Sequence, residues 1–329
     1  AIRVDYRRGQ VMRRLAGDDP EVNEEWITDK DRFAFMYGRG TDRLTRPLIR
    51  DTAEDGSSVL RAASWPEAID VAVRGLRAAM NPPADPDDPQ ARQASPGSRV
   101  GVLTGGRLTE EDAYAYSKFA RAILGTNNID FRSRPHSSEE ADFLAHAVAG
   151  TGLGVTYAQL ERAKRVLLVA FEPEEEAGAI FLRLRKAVRK HGLQVATLAP
   201  YLSNGNHKLN ATLIATAPGA EAETLADLGE LTPDAETIIL VGERAALSGG
   251  TLTAVTELAE RTGAGLAWVP RRAGDRGAVE AGCLPNLLPG GRPVTDAAAR
   301  VDVAATWGTP SLPSEPGRDL DEMLLAAGD

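Results

Sequence analysis

One cysteine, Cys283, is all that the 329 residues carry. No disulfide can close within the chain, and no cysteine series is present to hold an iron–sulfur cluster or structural zinc. The four histidines are His136, His146, His191 and His207. None falls at metal-ligand spacing, and HExxH does not occur. Basic residues are outnumbered 38 to 47, a net charge of −9. That balance argues against nucleic acid or an anionic membrane surface as a partner. No apolar run approaches the ~18 residues of a membrane span, so direct membrane insertion is not expected. The first residues are charged without an apolar core, unlike a signal peptide. Neither GxGxxG nor GxxxxGK[ST] stands at a strand-to-helix turn, and Ser248-Gly249-Gly250 is not a GxSxG elbow. The chain lacks an initiator Met and reads as a middle piece of a longer protein.

What is present is an ordinary globular composition, 43% hydrophobic, long enough for two or three domains. Residues 165–200 organise the rest. A solid apolar run, Val166 to Phe171, is followed by a break at Glu172-Pro173. Ile180, Leu182, Leu184 and Val188 then recur among Arg and Lys at helical spacing. Gly192 stops the helix, with Lys190 and His191 in its last turn. A second apolar run, Val195 to Leu198, closes a βαβ unit. Continuous apolar strands imply burial on both faces, hence a parallel sheet between helices.

Before this unit, alternation on either side of Arg8-Gly9 predicts a β-hairpin. Residues 43–50 read as extended, because Pro47 disfavours helix before it. Ser64 and Glu67 form a capping-box pattern around Pro66, predicting a helix with Ile69, Val73, Leu76 and Met80 on one face. Residues 81–98 hold five prolines and read as an exposed, mobile insertion. A strand over 99–104 leads to a helix starting near Thr109, with Tyr116, Phe119, Ala120 and Ile123 inward and Gly125 at its end. A short strand over 128–131 and a helix over 139–149 follow. Beyond the βαβ unit, strands are expected at 211–215, 237–241 and 265–269, the last in the chain. Helices are expected near 221–227, 252–261 and 319–327. Residues 286–316, rich in Gly and Pro, read as irregular.

Ligands of open parallel sheets bind at the carboxyl ends of the strands. The loop Thr104-Gly105-Gly106-Arg107 has the look of a phosphate cradle, although a tight turn is the preferred reading. At Phe171-Glu172-Pro173-Glu174, four glutamates in five positions (172 and 174–176) suit a helix start but repel a pyrophosphate. Gly242-Glu243-Arg244 marks a third loop. His136, after Arg132-Ser133-Arg134-Pro135, has neighbours suited to anion binding, with a surface loop as the preferred alternative. Cys283 reads as a small buried filler rather than a catalytic thiol. Spacing alone yields no catalytic constellation.

Three stretches carry a resemblance. PEVNEEWITDKDRFAF (20–35), followed by DRLTRPLIR (42–50), resembles the start of the molybdopterin oxidoreductase superfamily. TGGRLTEEDAYAYSKFARAILGTNNIDFRSRPHS (104–137) is similar to its early α/β segment, and GAVEAGCLPNLLPGGRPV (277–294) to a late one. Within the superfamily the match is best to the G-subunit branch of respiratory NADH:quinone oxidoreductase (complex I). The resemblance implies an α/β fold, doubly wound and largely parallel with flanking helices, behind a small β-rich N-terminal piece. The implied division is 1–55 as a remnant of an iron–sulfur-type domain and 56–138 as a first α/β domain. A second, over 139–329, ends in an irregular segment. It further implies a scaffold that supports electron transfer from NADH to quinone without a redox centre, catalytic residue or metal of its own. Its partners would be the other peripheral-arm subunits, on the cytoplasmic side of the bacterial membrane. Iron–sulfur clusters would belong to the rest of the subunit, since Thr28 stands where the superfamily has its last cysteine. The alternative is a pterin-dependent oxidoreductase of the formate dehydrogenase or nitrate reductase kind. It would hold molybdopterin guanine dinucleotide on Thr104, Gly105, Gly106, Arg132, Arg134, His136, Gly242 and Arg244.

Overall fold

A computed structural model describes residues 1–53, 55–81, 95–152 and 154–327. Residues 82–94, most of the Pro-rich insertion, lie outside the described residues. The N-terminal hairpin pairs β1 (Ile2–Arg7) with β2 (Gln10–Ala16). Its turn places Arg8 and Gly9 at φ 51° and 77°, the left-handed pair that matches strand twist. A second hairpin, β3 (Leu48–Thr52) with β4 (Ser58–Ala62), follows. The expected strand at 99–104 shrinks to β5 (Val102–Leu103), parallel to β6 (Ile129–Asp130).

The central sheet has five parallel strands: β7 (Arg165–Val169), β8 (Gln194–Ala199), β9 (Thr212–Ala215), β10 (Thr237–Gly242) and β11 (Gly265–Val269). Their spatial order is β11-β10-β7-β8-β9. The chain winds outward from β7 in one direction, returns, and winds outward in the other. This is the doubly wound arrangement, and its switch point lies between β7 and β10. The alternation of strand side chains supplies both cores. Leu167, Val169, Ile239 and Val241 enter one core, and Val166, Leu168, Ile238 and Leu240 the other. Each such side chain contributes about 1.5–3 kcal/mol on burial, so the middle strands anchor the domain. The helix Gly178–His191 covers the second core and ends at Gly192 with φ 71°.

Residues 286–316 are not irregular. They hold a short antiparallel pair, β12 (Leu287–Leu288) and β13 (Arg292–Pro293), so β11 is not the last strand. They also hold an eleven-residue helix, Ala297–Trp307, started by the Asp296 side chain and ended by Gly308. AAARVDVAATW is a strong helix former, and Val303, Ala304 and Trp307 fill a third core. The glycines and prolines sit on its flanks. Trp307 Nε1 donates to Tyr114 Oη at 2.7 Å and ties this helix to Glu110–Lys118.

Two helix faces differ from expectation. In Trp65–Met80 no residue is buried; Ile69 is 57% exposed and Val73 38%. Ser64 caps the helix, and the Glu67 carboxylate pairs with Arg61 at 2.7 Å. In Glu110–Lys118 and the π turn Phe119–Ile123 that continues it, Tyr116, Phe119 and Ile123 face outward. Ala113, Ser117, Ala120 and Arg121 face inward instead. Arg121 is 1% exposed and donates to carbonyls of Gly282, Leu284 and Leu287, to Asn127 and to Ser117, with no carboxylate partner among the described residues. Its guanidinium nitrogens are engaged throughout, which is what permits its burial.

The N-terminal segment rests on the sheet domain. Arg183 donates to the Pro20 and Val22 carbonyls and pairs with Glu161 at 3.0 Å. Thr28 Oγ1 accepts from Asp31 N and starts the helix Asp29–Phe33. Its methyl lies over Gly178, where an added Cβ would stand 2.0 Å from Thr28 Cγ2.

Candidate functional site at the carboxyl edge of the parallel sheet

A cleft of about 670 Å³ opens at the carboxyl ends of β7, β8 and β10. It lies at the switch point, where doubly wound sheets bind ligands. Backbones close tightly behind it. Ala170, leaving β7, has φ 49°, which costs a residue with a Cβ about 1–2 kcal/mol. Gly242, ending β10, packs so near that a Cβ would fall 2.5 Å from the Ala170 carbonyl oxygen. Glycine at 242 is therefore required by backbone approach within the fold.

The cleft wall is acidic. Glu172 starts the short helix Pro173–Glu176, and Glu174 pairs with Lys208. Glu175 lies 3.9 Å from Lys30 and is exposed. The Glu176 side chain is 4% exposed; its Oε1 meets Arg244 at 2.8 Å, and burial raises its carboxyl above the usual range against the pull of Arg244 and Arg271. Glu221 accepts from Ser248 Oγ at 2.6 Å and Gly219 N at 2.7 Å.

Arg132, Arg134 and Arg272, arginines that could hold an anion, are taken by carboxylates. Arg132 is fully buried and pairs with Asp130 at 2.8 Å, with Glu140 at 3.8 Å beyond. Arg134 pairs with Glu140 at 2.6 Å and Glu243 at 3.2 Å. Arg272 reaches the same Glu243 at 3.3 Å. Asp275, 1% exposed, lies beside the network, and burial pushes its carboxyl up to about 6 while Arg134 and Arg272 pull it down.

The loop at 104–107 joins this network. Gly105 has φ 69°, and a Cβ on Gly106 would lie 1.7 Å from Asp275 Oδ1. A carboxylate of the protein thus fills the space that a phosphate would need. His136 sits on a loop that exposes Ser133 and Pro135, but its own side chain points inward and is 1% exposed, with Nδ1 3.1 Å from the Arg134 carbonyl and Nε2 3.4 Å from Asp319. Cys283 is buried, and burial pushes its thiol up to about 12.

The eight residues named from sequence therefore do gather at one edge, in two groups. Thr104, Gly105, Gly106, Arg132, Arg134 and His136 lie behind the wall; Arg244 faces the cleft, and Gly242 underlies it. Sequence reasoning missed their neutralising partners Glu140 and Glu243, the neighbouring Asp275, and the arginines Arg271 and Arg272. The one available signal was the mixed charge of the stretches that hold them. Among the described residues no group of three or more His, Cys, Asp or Glu could hold a metal ion, and no helix is long and apolar enough to cross a membrane.

Comparison with known families gives two matches. Residues 43–259 match the profile "Molybdopterin oxidoreductase". Residues 1–36 match "NADH-ubiquinone oxidoreductase NDSU1/NuoG-like, 4Fe-4S domain". Those 36 residues contain no cysteine in this chain. The G subunit of NADH-quinone oxidoreductase from Mycobacterium bovis is 54% identical over all of this chain and 39% of its own length. The protein of the same name from Streptomyces coelicolor is 51% identical over 99% of this chain and 40% of its own length. The chain thus spans about two fifths of the length of these relatives. Among solved structures, acetylene hydratase from Pelobacter acetylenicus aligns over 86% of this chain and 40% of its own, with a TM-score of 0.45 and 14% identity.

Proposed function

The chain belongs to the molybdopterin oxidoreductase family, and from that premise we propose that it is the scaffold portion of a G subunit of NADH:quinone oxidoreductase. In this reading the whole complex passes electrons from NADH to quinone. The chain supports that transfer structurally, packed against other peripheral-arm subunits on the cytoplasmic side of the membrane. The iron–sulfur clusters belong to the remainder of the subunit. The domain division 1–55, 56–138 and 139–329 is part of the same proposal.

One observation carries the scaffold role: Arg132 and Arg134 are both buried and paired with Asp130, Glu140 and Glu243. A pterin dinucleotide brings a pyrophosphate and needs free cations or open N–H groups. Here the unpartnered buried oxygens of the cleft belong to Glu172, Glu176 and Asn206, which are acceptors like those of the phosphate itself. The residues present do not fit that cofactor, and the pterin-dependent alternative is not favoured.

The test is elemental analysis of the purified full-length protein for molybdenum and tungsten, with pterin fluorescence after denaturation. Neither metal nor pterin is expected at stoichiometric level, and one metal per chain would overturn the scaffold reading. In parallel, deletion of this segment should abolish NADH:quinone activity in membranes by preventing assembly. Activity retained by the deletion strain would count against membership of the complex.

A further inference from the structure

The acidic cleft has a feature that charge alone does not explain. Three of its buried oxygens have no hydrogen-bond partner among the described residues: Glu172 Oε1, Glu176 Oε2 and Asn206 Oδ1. The Glu176 side chain is 4% exposed and Asn206 is 3% exposed, and all three residues line the cleft. They adjoin one another, since Asn206 Nδ2 donates to Glu172 Oε2 at 3.4 Å and Glu172 N donates to Glu176 Oε1 at 3.4 Å. Exchanging the oxygen and nitrogen of Asn206 does not help, because it would turn an acceptor toward a carboxylate. Arg244 is held on the other oxygen of Glu176 and leaves Oε2 bare.

Buried acceptors without donors are rare in folded proteins, and a ligand that brings donors would satisfy these three. A primary ammonium carries three N–H donors, a positive charge and no acceptor. Five glutamates against two arginines along the wall favour the same sign. A multidentate metal is disfavoured, since no group of three or more metal-binding side chains forms among the described residues.

We propose that this cleft binds an alkylammonium group, with Glu172, Glu176 and Asn206 accepting its three N–H donors. The group can come from a free polyamine or from a lysine side chain of a neighbouring protein; the chemistry is the same. The proposal stands independently of the scaffold role.

Calorimetric titration of the complete protein with spermidine at low salt tests it. Saturable binding at one site is expected. Glu172→Gln with Glu176→Gln should weaken it by at least about tenfold, the scale of losing a charge-assisted hydrogen bond. Asn206→Asp should tighten it by adding a charge, and this variant decides the matter if the double variant does not fold. Glu223→Gln, outside the cleft, should leave binding unchanged. Absence of saturable binding, equal binding by the double variant, weaker binding by Asn206→Asp, or equal occupancy by magnesium would each overturn the proposal. Repeating the titration on the protein assembled with its neighbours separates the sources. Loss of the site on assembly assigns it to a neighbour's lysine, and its retention assigns it to free polyamine.

Discussion

Arg134 stands 3.2 Å from Glu243, joining the loop after β6 to the carboxyl end of β10. The same guanidinium meets Glu140 at 2.6 Å. Such a group is costly to break from one side, because removal of the cation leaves buried Glu140 with only the Arg132 cation at 3.8 Å and buried Glu243 with only the Arg272 cation at 3.3 Å among the described residues. Arg134→Met should therefore lower stability by about 3–5 kcal/mol in urea unfolding. Replacing Glu140 and Glu243 with Gln in the same chain should recover most of the loss. A single variant within about 1 kcal/mol of the parent, by the scale of exposed pairs, would show that the network contributes no more than a surface salt bridge.

Asp275 sets a pH dependence of definite sign. Burial raises its carboxyl from 3.8 to about 6, so the folded state holds the proton more tightly than the unfolded chain. The contribution of this group to stability is complete below pH 3.8 and is lost as pH rises through about 6. Asp275→Asn should flatten that part of the profile and raise the melting temperature at pH 7.5 by about 2–4 °C, equivalent to roughly 1 kcal/mol. Calorimetric melting of both proteins from pH 4 to pH 8 checks it, and two parallel profiles would exclude Asp275 as the source.

Gly178 and Thr28 offer a test in which the usual sign is reversed. Alanine for glycine in a helix ordinarily stabilises by about 1 kcal/mol. At Gly178 the new Cβ would meet Thr28 Cγ2 at 2.0 Å, while the hydroxyl of Thr28 is held by its cap to Asp31. Gly178→Ala should therefore destabilise. The same substitution in a Thr28→Ser background keeps the cap, removes the methyl and should be neutral or stabilising. Thermal melting of the four proteins closes the cycle.

Cys283 should behave as an inert core atom. Its thiol, pushed up to about 12 by burial, accordingly holds a negligible thiolate fraction at neutral pH. Iodoacetamide should leave the native protein unmodified at pH 8 over hours and label it in 6 M urea. Rapid stoichiometric labelling of the native protein would contradict the burial.

The unit from β7 through Gly192 to β8 was legible because its two strands are buried on both faces and its helix has a glycine stop. Physics there acts through neighbours in sequence. The pairings of Arg134 with Glu243 and of Gly106 with Asp275 were not legible, because they join segments far apart in the chain. The same isolated residues are equally compatible with a ligand. Arg121 escaped for another reason: hydrophobic periodicity assigns an arginine to the solvent face, and only a ring of backbone carbonyls reverses that. The helix Ala297–Trp307 was hidden by the glycines and prolines on either side of it.

Arg121 binds Gly282 and Leu287 across sequence separations of 161 and 166 residues. The whole five-stranded sheet is encoded inside the loop that this one side chain closes. Loop closure over such a span is entropically disfavoured until the intervening chain is compact. Formation of the sheet shortens the effective loop, so the sheet and the carbonyl ring reinforce one another. Arg121 thereby couples the segment before the sheet to the segment after it, across the whole of the sheet between them.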